Sequence, residues 1–301
     1  MGSPSNIKAY EILKKALEQK GHKPFYEKFN SPVWFRGNDK VTLKLPFIKE
    51  LRAYALAWVA PAKIENGKAL FVGSGYEEDY SNLDAKGKIV VISQERVSGR
   101  DEILRGEAIK IAYSKGALAC LFINEAKGGK VLTGVGNFKG VALPIPAFTL
   151  TYEEGSKLRR LLEKNEPVVL DIISNSRVES GEWNNLITRI EGSSDEKIVI
   201  GGHFDSWDLG DGAADNGHGS AVMFEAATLL KDFGIKPNRT IEFVWFNGEE
   251  TGLWGSKKYV EAHKNDKIFA MINLDMPGKV NGFNVMGFDA LLPVIKKITD
   301  S

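Results

Sequence analysis

The sequence predicts an α/β fold: a layered, at least partly parallel sheet flanked by helices, with a second, β-rich region beside it. Two observations carry this expectation. From about residue 171 the chain alternates strand, loop and helix, through "EKIVIGG", "GSAVMFEAATLLKDFG", "RTIEFVWF", "LWGSKKYVEAHK" and "IFAMINLD". Such alternation builds sheets with parallel neighbours and helices on their faces. From about 46 to 170, short β-branched runs dominate instead: "AYALAWVA", "KALFVG", "GKIVVIS" and "LACLFIN".

Taken in order, residues 1–45 begin with an amphipathic helix, with Ile7, Tyr10, Ile12 or Leu13, and Leu17 at helical spacing and Gly21 as its stop. Two extended segments follow, "KPFYEKF" and "KVTLKLP". Within 46–170 the stretch "DEILRGEAIKIAYSKG" has helical spacing at Ile103, Leu104, Ala108, Ile111 and Ala112, and "PIPAFTLTYEEGSKLRRLLEK" runs from strand into helix. "GVGNFKG" lacks the dinucleotide-binding spacing and reads as a loop. Residues 171–301 hold the alternating elements, with Gly234 closing the first helix after "GSAVMFEAATLLKDF". The texture gives three parts: 1–45, 46–170 and 171–301.

Composition narrows the functional classes. Of 301 residues, 43% are hydrophobic and 26% charged, enough apolar material for at least one large core. A net charge of +1 argues against a broad basic nucleic-acid surface or an electrostatic membrane anchor. No run reaches the roughly 18 apolar residues that a membrane span needs. The single cysteine, Cys120 in "ALACLFI", excludes an internal disulfide and reads as a buried structural residue.

Residues 201–220, "GGHFDSWDLGDGAADNGHGS", hold two histidines and four aspartates. Three expected strands end in groups that bind metals. "IVIGG" leads to His203 and then Asp205, "IEFVWFNG" to Glu249 and Glu250, and "AMINL" to Asp275. Functional groups in open α/β sheets gather beyond the carboxyl ends of strands. Asp215, just before a helix, can turn over the same edge. A lone His or Asp at a strand end is usually a solvated residue or a helix cap. Their convergence, with two adjacent glutamates after an apolar strand, favours a cation, since close carboxylates repel unless neutralised. One imidazole with several carboxylates suits Zn²⁺ or a similar divalent ion. Adjacent Glu249 and Glu250 point in different directions, so one can bind metal while the other takes a proton from water. Asp205 is placed to accept the second ring N–H of His203.

"HFDSWD", "AADNGHGS", "FNGEETGLWGS" and "NLDMPG", in this order, resemble the co-catalytic dizinc exopeptidases of metallopeptidase family 28. "HFDSWD" followed by "GAADNG" is especially similar to the carboxypeptidase Q branch. The middle region resembles an inserted protease-associated (PA) domain, through "GKIVVISQERVSGRDEILRGEAIKIAYSKGALACLFIN" and "LPIPAFTLTYEEGSKL". The resemblance implies a zinc-exopeptidase-like mixed sheet flanked by helices. It implies two zinc ions in the complete protein, with His203, Asp215 and Asp275 on one and Glu250 with a bridging Asp215 on the other. It further implies Glu249 as general base, Asp205 as the partner of His203, and a cis Asp215–Asn216 bond. As partners it implies a peptide or dipeptide substrate and allows a homodimer; the charge balance and hydropathy above argue against nucleic acid and a membrane span.

In that family the second metal takes a histidine from a segment beyond Asp275. His22, His218 and His263 match no ligand motif; His218, at a helix start, is expected to be a surface or capping residue, and His22 and His263 are expected to be solvated. The chain is therefore expected to be a fragment clipped at both ends, to bind one divalent ion well and a second poorly, and to hydrolyse little by itself. Trp207 and Trp254 flank the expected site and suit either a pocket wall or a core edge. A second functional class is a non-catalytic binding module of the transferrin-receptor kind; the intact set of costly charges argues against it. A single-zinc glutaminyl cyclase is disfavoured by the PA-like region.

Overall fold

The computed structural model describes residues 2–96, 98–278 and 283–299. Helix α1 (Pro4–Gln19) is capped by Ser3, whose side chain accepts the Asn6 N–H at 3.2 Å, and Pro4 occupies the first turn. Gly21, at φ 76°, lies just past its end, where a left-handed residue is needed. Tyr10 and Leu17 are buried and Leu13 packs against the core, whereas Ile7 and Ile12 are exposed. Strand β1 (Phe25–Phe35) follows.

The chain then builds a second sheet from β2 (Lys40–Leu45), β3 (Lys49–Glu50), β4 (Ala53–Ala55), β5 (Ala62–Phe71), β6 (Ile89–Ser93), β7 (Ala119–Ile123), β8 (Ala147–Leu150) and β9 (Val169–Ser174). Helix α2 (Arg105–Ser114) precedes β7 and α3 (Tyr152–Glu163) precedes β9. The strand order is β3-β2-β9-β5-β6-β7-β8-β4, with β5 to β8 parallel. Its core includes Trp58, Ile89, Ile92, Phe122 and Phe148, and Cys120 is buried there. Lys40–Leu45 pairs with β9 through Lys40↔Ile173 and Leu43↔Leu170. This sheet therefore takes in residues on both sides of the texture changes near 46 and 170, because long-range pairing leaves no mark on local composition.

Strand β10 (Arg177–Ile190) returns the chain, pairing antiparallel with β1 from Phe25↔Ile187 to Phe35↔Arg177. Pro32 is tolerated within β1 because that strand lies at the sheet edge. Next come β11 (Glu196–His203), α4 (His218–Asp232), β12 (Thr240–Phe246), α5 (Trp254–Ala262), β13 (Lys267–Asn273) and α6 (Leu292–Thr299). The order β1-β10-β12-β11-β13 is mixed: β11 runs parallel to both β12 and β13, and the remaining pairs are antiparallel. Alternation along β12 fills both faces. Phe243 and Trp245 meet Tyr10 and Leu17 of α1 and Met223 of α4, while Val244 and Phe246 meet Tyr259 of α5. Burying such side chains contributes about 1.5–3 kcal/mol each. The register His203↔Phe246 and Gly201↔Asn273 brings the carboxyl ends of the three parallel strands to one edge. No described helix is long and apolar enough to cross a membrane.

Candidate metal centre

His203 is the last residue of β11 and is 3% exposed. Its Nδ1–H donates to the main-chain oxygen of Asp205 at 2.9 Å, which leaves Nε2 facing the open edge. There Nε2 lies 2.9 Å from Asp215 Oδ1 and 3.4 Å from Asp275 Oδ1. Ligand atoms of His203, Asp215 and Glu250 all lie within 4.8 Å of one another. Both aspartates are part-exposed, at 44% and 40%, so the cluster has an accessible mouth.

Asp205 is buried, and its role differs from the sequence expectation in one respect. The carbonyl, rather than the carboxylate, meets the imidazole, whose Nδ1 is 4.0 Å from Asp205 Oδ1. The carboxylate instead accepts the Glu249 N–H at 3.0 Å, tying the end of β11 to the loop after β12. Gly248, at φ 76°, starts that loop. The Gly252 and Leu253 N–H groups close it on Glu249 O, each at 2.9 Å.

Asp215 sits in a π-type turn, Ala213–Gly217, at the head of α4, and its bond to Asn216 is cis, as the family resemblance implies. Asn216 was not singled out from the sequence, yet it joins the elements. Its Nδ2 donates to His203 O at 3.1 Å and Leu274 O at 2.8 Å, and its Oδ1 accepts from Gly219 N and Met276 N. One side chain thus holds the ends of β11 and β13 against the start of α4. Glycine is required beside it, since a Cβ on Gly219 would stand 2.3 Å from Asn216 Oδ1 and 2.4 Å from Leu274 O. Ser220 adds a bond to His203 O at 3.0 Å.

The electrostatics are those of a site short of positive charge. Burial, then Asp215, Asp205 and Glu249, push the Glu250 carboxyl up to about 8. Burial also raises Glu249; His203 counteracts this, while Asp205, Asp275 and Asp215 add to the rise. Burial works to lower the His203 pKa, but Asp205, Glu249 and Asp275 outweigh it and hold it above its ordinary value. Glu250 Oε1 and Asp205 Oδ2 are buried without a protein hydrogen-bond partner. Orphaned acceptors beside an exposed-side imidazole nitrogen are the surroundings that a divalent cation completes.

The remaining histidines divide. His218 is exposed, as expected. His22 is 5% exposed, not solvated: Thr188 lies 3.5 Å away, and burial followed by Lys231 lowers its pKa. His263 is also not solvated. It lies between Glu27 at 2.6 Å and Asp266 at 2.7 Å, its ring centroid 4.2 Å from that of Tyr259 and tilted 32° to it. Glu27 is 236 residues away in sequence, so nothing local announces this contact. Trp207 and Trp254 are core-edge residues packed against the core of the second sheet, Trp254 edge-on to Trp58.

Comparison with known proteins agrees with this architecture. Peptidase family M28 matches residues 185–289, and the PA domain matches residues 58–158. The chain is 29% identical over 297 residues to Carboxypeptidase Q of Xenopus laevis, covering 95% of this chain and 63% of that protein. It is 31% identical over 214 residues to Aminopeptidase YwaD of Bacillus subtilis, covering 68% of this chain and 43% of that protein. Among solved structures, a peptidase M28 precursor from Shewanella amazonensis SB2B superposes with a TM-score of 0.76 at 28% identity, over 91% of this chain and 66% of that one. The chain thus spans less than two thirds of the length of the curated relatives it matches. HFDSWD, AADNG, FNGEE and NLD stand at the sheet edge within the stretch that matches peptidase family M28, and the PA-domain match lies between the pairing strands β1 and β10. The comparisons therefore support a peptidase of family M28 with an inserted PA domain.

Proposed function

We propose that this chain carries the metal centre of a zinc-dependent exopeptidase that cleaves peptide bonds at a chain terminus or in dipeptides. The observation that supports it most is the convergence of His203, Asp215 and Glu250 within 4.8 Å, with a Glu250 oxygen buried and unpartnered. In this reading His203, Asp215 and Asp275 would hold one ion, and Glu250, together with Asp215, would hold a second. Bound zinc supplies Lewis-acid polarisation of the scissile carbonyl and lowers the pKa of water at the site.

The chain's own groups do the rest. Asp205 O fixes the His203 proton on Nδ1 and leaves the Nε2 lone pair for a metal. Glu249 is held by its N–H on Asp205, beside the cluster rather than inside it. A carboxylate oxygen of Glu249 takes a proton from the attacking water and passes it to the leaving amine. Its burial raises its basicity, which suits that transfer. The Carboxypeptidase Q and aminopeptidase relatives support a peptide substrate, with the free carboxyl and free amino ends as the two alternatives for recognition.

The test is a pair of variants in the protein that carries this chain, assayed on an aminoacyl amide and on a dipeptide. Glu249→Gln is expected to lower kcat by about 10²–10⁴-fold with zinc content unchanged, because a base is lost and not a ligand. Glu250→Gln is expected to lower zinc content. Equal zinc loss in both variants would contradict the division of roles.

A further inference from the structure

The loop from Asp205 to Gly212 joins His203, at the end of β11, to the turn that carries Asp215, and two of its residues reach out of the first sheet's lobe. Trp207 packs against the core of the second sheet. Asp208 pairs with Arg36, with Nε to Oδ2 at 2.6 Å and Nη2 to Oδ1 at 3.1 Å, a bidentate fork. Arg36 is the residue immediately after β1, where the chain enters the PA lobe. Its other bonds go to that lobe, from Nη1 to Ala55 O at 2.5 Å and from Nη2 to Thr133 Oγ1 at 3.3 Å. Its guanidinium also lies 4.9 Å from the Trp34 ring, and its side chain is only 12% exposed.

This arginine does not sit on a loose hinge. The two strands that link the lobes are locked together just beyond it. Asp39 accepts from Ser174 Oγ at 3.0 Å, Asn175 N at 2.8 Å and Ser176 N at 3.1 Å. Gly37 lies so close to Asn175 that a Cβ would stand 2.2 Å from that residue's carbonyl carbon. A fixed guanidinium thus meets the middle of a loop that is otherwise tied at its start by Asp205 to Glu249 N, by the packing of Trp207, and by two short-range bonds: Ser206 Oγ on Asp215 O at 2.7 Å, and Gly217 N on Gly212 O at 2.8 Å.

We infer that the Arg36–Asp208 pair is a positioning latch, through which the PA lobe sets the loop that carries Asp205 and leads into Asp215. Arg36 and Asp208 are positioning residues: they touch neither metal nor substrate. They fix where the Asp205 carbonyl meets His203 and where the turn that presents Asp215 begins. The inference rests on the proposed metal centre for its functional consequence, but the latch itself is a property of the metal-free chain. Outer partners of metal-site residues typically contribute 10–100-fold in metal affinity, and a latch acting through one loop belongs at the lower end.

The experiment uses Asp208→Asn, Arg36→Ala and Arg36→Lys, with Lys28→Ala as a control, since the Lys28–Glu182 pair is exposed on β1 and β10 away from the loop. Amide hydrogen exchange is followed over residues 205–215 without metal, and zinc affinity is measured by competition with a chromophoric chelator. Asp208→Asn and Arg36→Ala are each expected to speed exchange in this loop and to weaken zinc binding by about tenfold. The double variant should be no worse than either single one, Arg36→Lys should fall between, and the urea midpoint of Asp208→Asn should not move. Exchange within twofold of wild type in Asp208→Asn, whose part-exposed site tolerates the change, overturns the latch. Faster exchange with unchanged zinc affinity overturns its role in the metal centre. If the wild-type chain takes up no zinc, the metal reading fails while the exchange data still judge the latch.

Discussion

On the proposed reading, Glu250 is the residue on which metal and proton would compete. With its carboxyl pushed up to about 8 by burial and by Asp215, Asp205 and Glu249, it is largely protonated at neutral pH in the absence of metal. Zinc bound there would have to displace that proton, so apparent affinity should fall as pH drops below about 8 and level off above it. The slope should be about tenfold per pH unit for one proton, steepening once His203, whose pKa is also raised, gains its own. Competition titrations between pH 6 and 8.5 check this, and a pH-independent affinity would count against Glu250 as a ligand. His203, Asp215, Glu249, Glu250 and Asp275 were legible in the sequence because strand ends and a helix entry fix where such side chains go. Asn216 was not, although it stands inside a quoted motif, because its work is done by hydrogen bonds to two other main-chain segments, at His203 and at Leu274–Met276. His263 was misread for the same reason: its partner Glu27 comes from the far end of the chain.

Strand β10 is the element least visible in the sequence. Its first half, "RVESGEW", is part-exposed and polar, so it lacks the apolar run by which β11 and β12 announce themselves. It is defined by its pairing with β1 across the junction of the lobes. Helix α5 shows the opposite case, legible in outline and set in place by one glycine. Gly255, in its first turn, packs so tightly on the sheet that a Cβ would stand 2.3 Å from Asn185 Oδ1 and 2.6 Å from Asn247 O. Asn185 Nδ2 donates to Gly255 O at 3.1 Å, and Gly255 N donates to Asn247 O at 2.8 Å. Gly255→Ala should therefore destabilise the protein by about 1–3 kcal/mol despite alanine's better helix propensity. Urea unfolding measures this, and a stabilised variant would show that α5 can slide away from the sheet.

Beneath the sheet of the first lobe, a buried charge network spans β10, β12, β11 and α5. Glu242, fully buried, pairs with Arg189, with Lys197 at 2.8 Å and with the Tyr259 hydroxyl, and Lys197 reaches Asp266 at 2.7 Å. Burial opposes ionisation of Glu242, but its bonds to Lys197, Tyr259 and Arg189 prevail and hold its pKa below the ordinary value. A depressed carboxylate stabilises the fold above its unfolded pKa of about 4.3, and that contribution is lost as pH falls through the lower, folded value. Glu242→Gln should cost about 1–3 kcal/mol at pH 7, since it removes the buried anion that Arg189 and Lys197 share, while Lys197 keeps Asp266. It should also flatten the acid limb of the stability curve. Denaturant unfolding at pH 7 and pH 3 checks both, and an equal loss at the two pH values would contradict the linkage. At this scale the alternation of elements in residues 171–301 was enough to expect the parallel core of the first sheet. The interleaving of β2 and β9 in the second sheet was not legible, because partners 130 or so residues apart leave no periodic signal between them.

The central claim is that His203, Asp215, Glu250 and Asp275 form one zinc centre at the carboxyl edge of β11, β12 and β13. Calorimetric zinc titration of this chain tests it most directly, with His203→Ala and Glu249→Gln run alongside the wild type. The account predicts saturable binding that His203→Ala removes and Glu249→Gln leaves intact. Zinc binding that survives in His203→Ala, or is lost equally in Glu249→Gln, would contradict it.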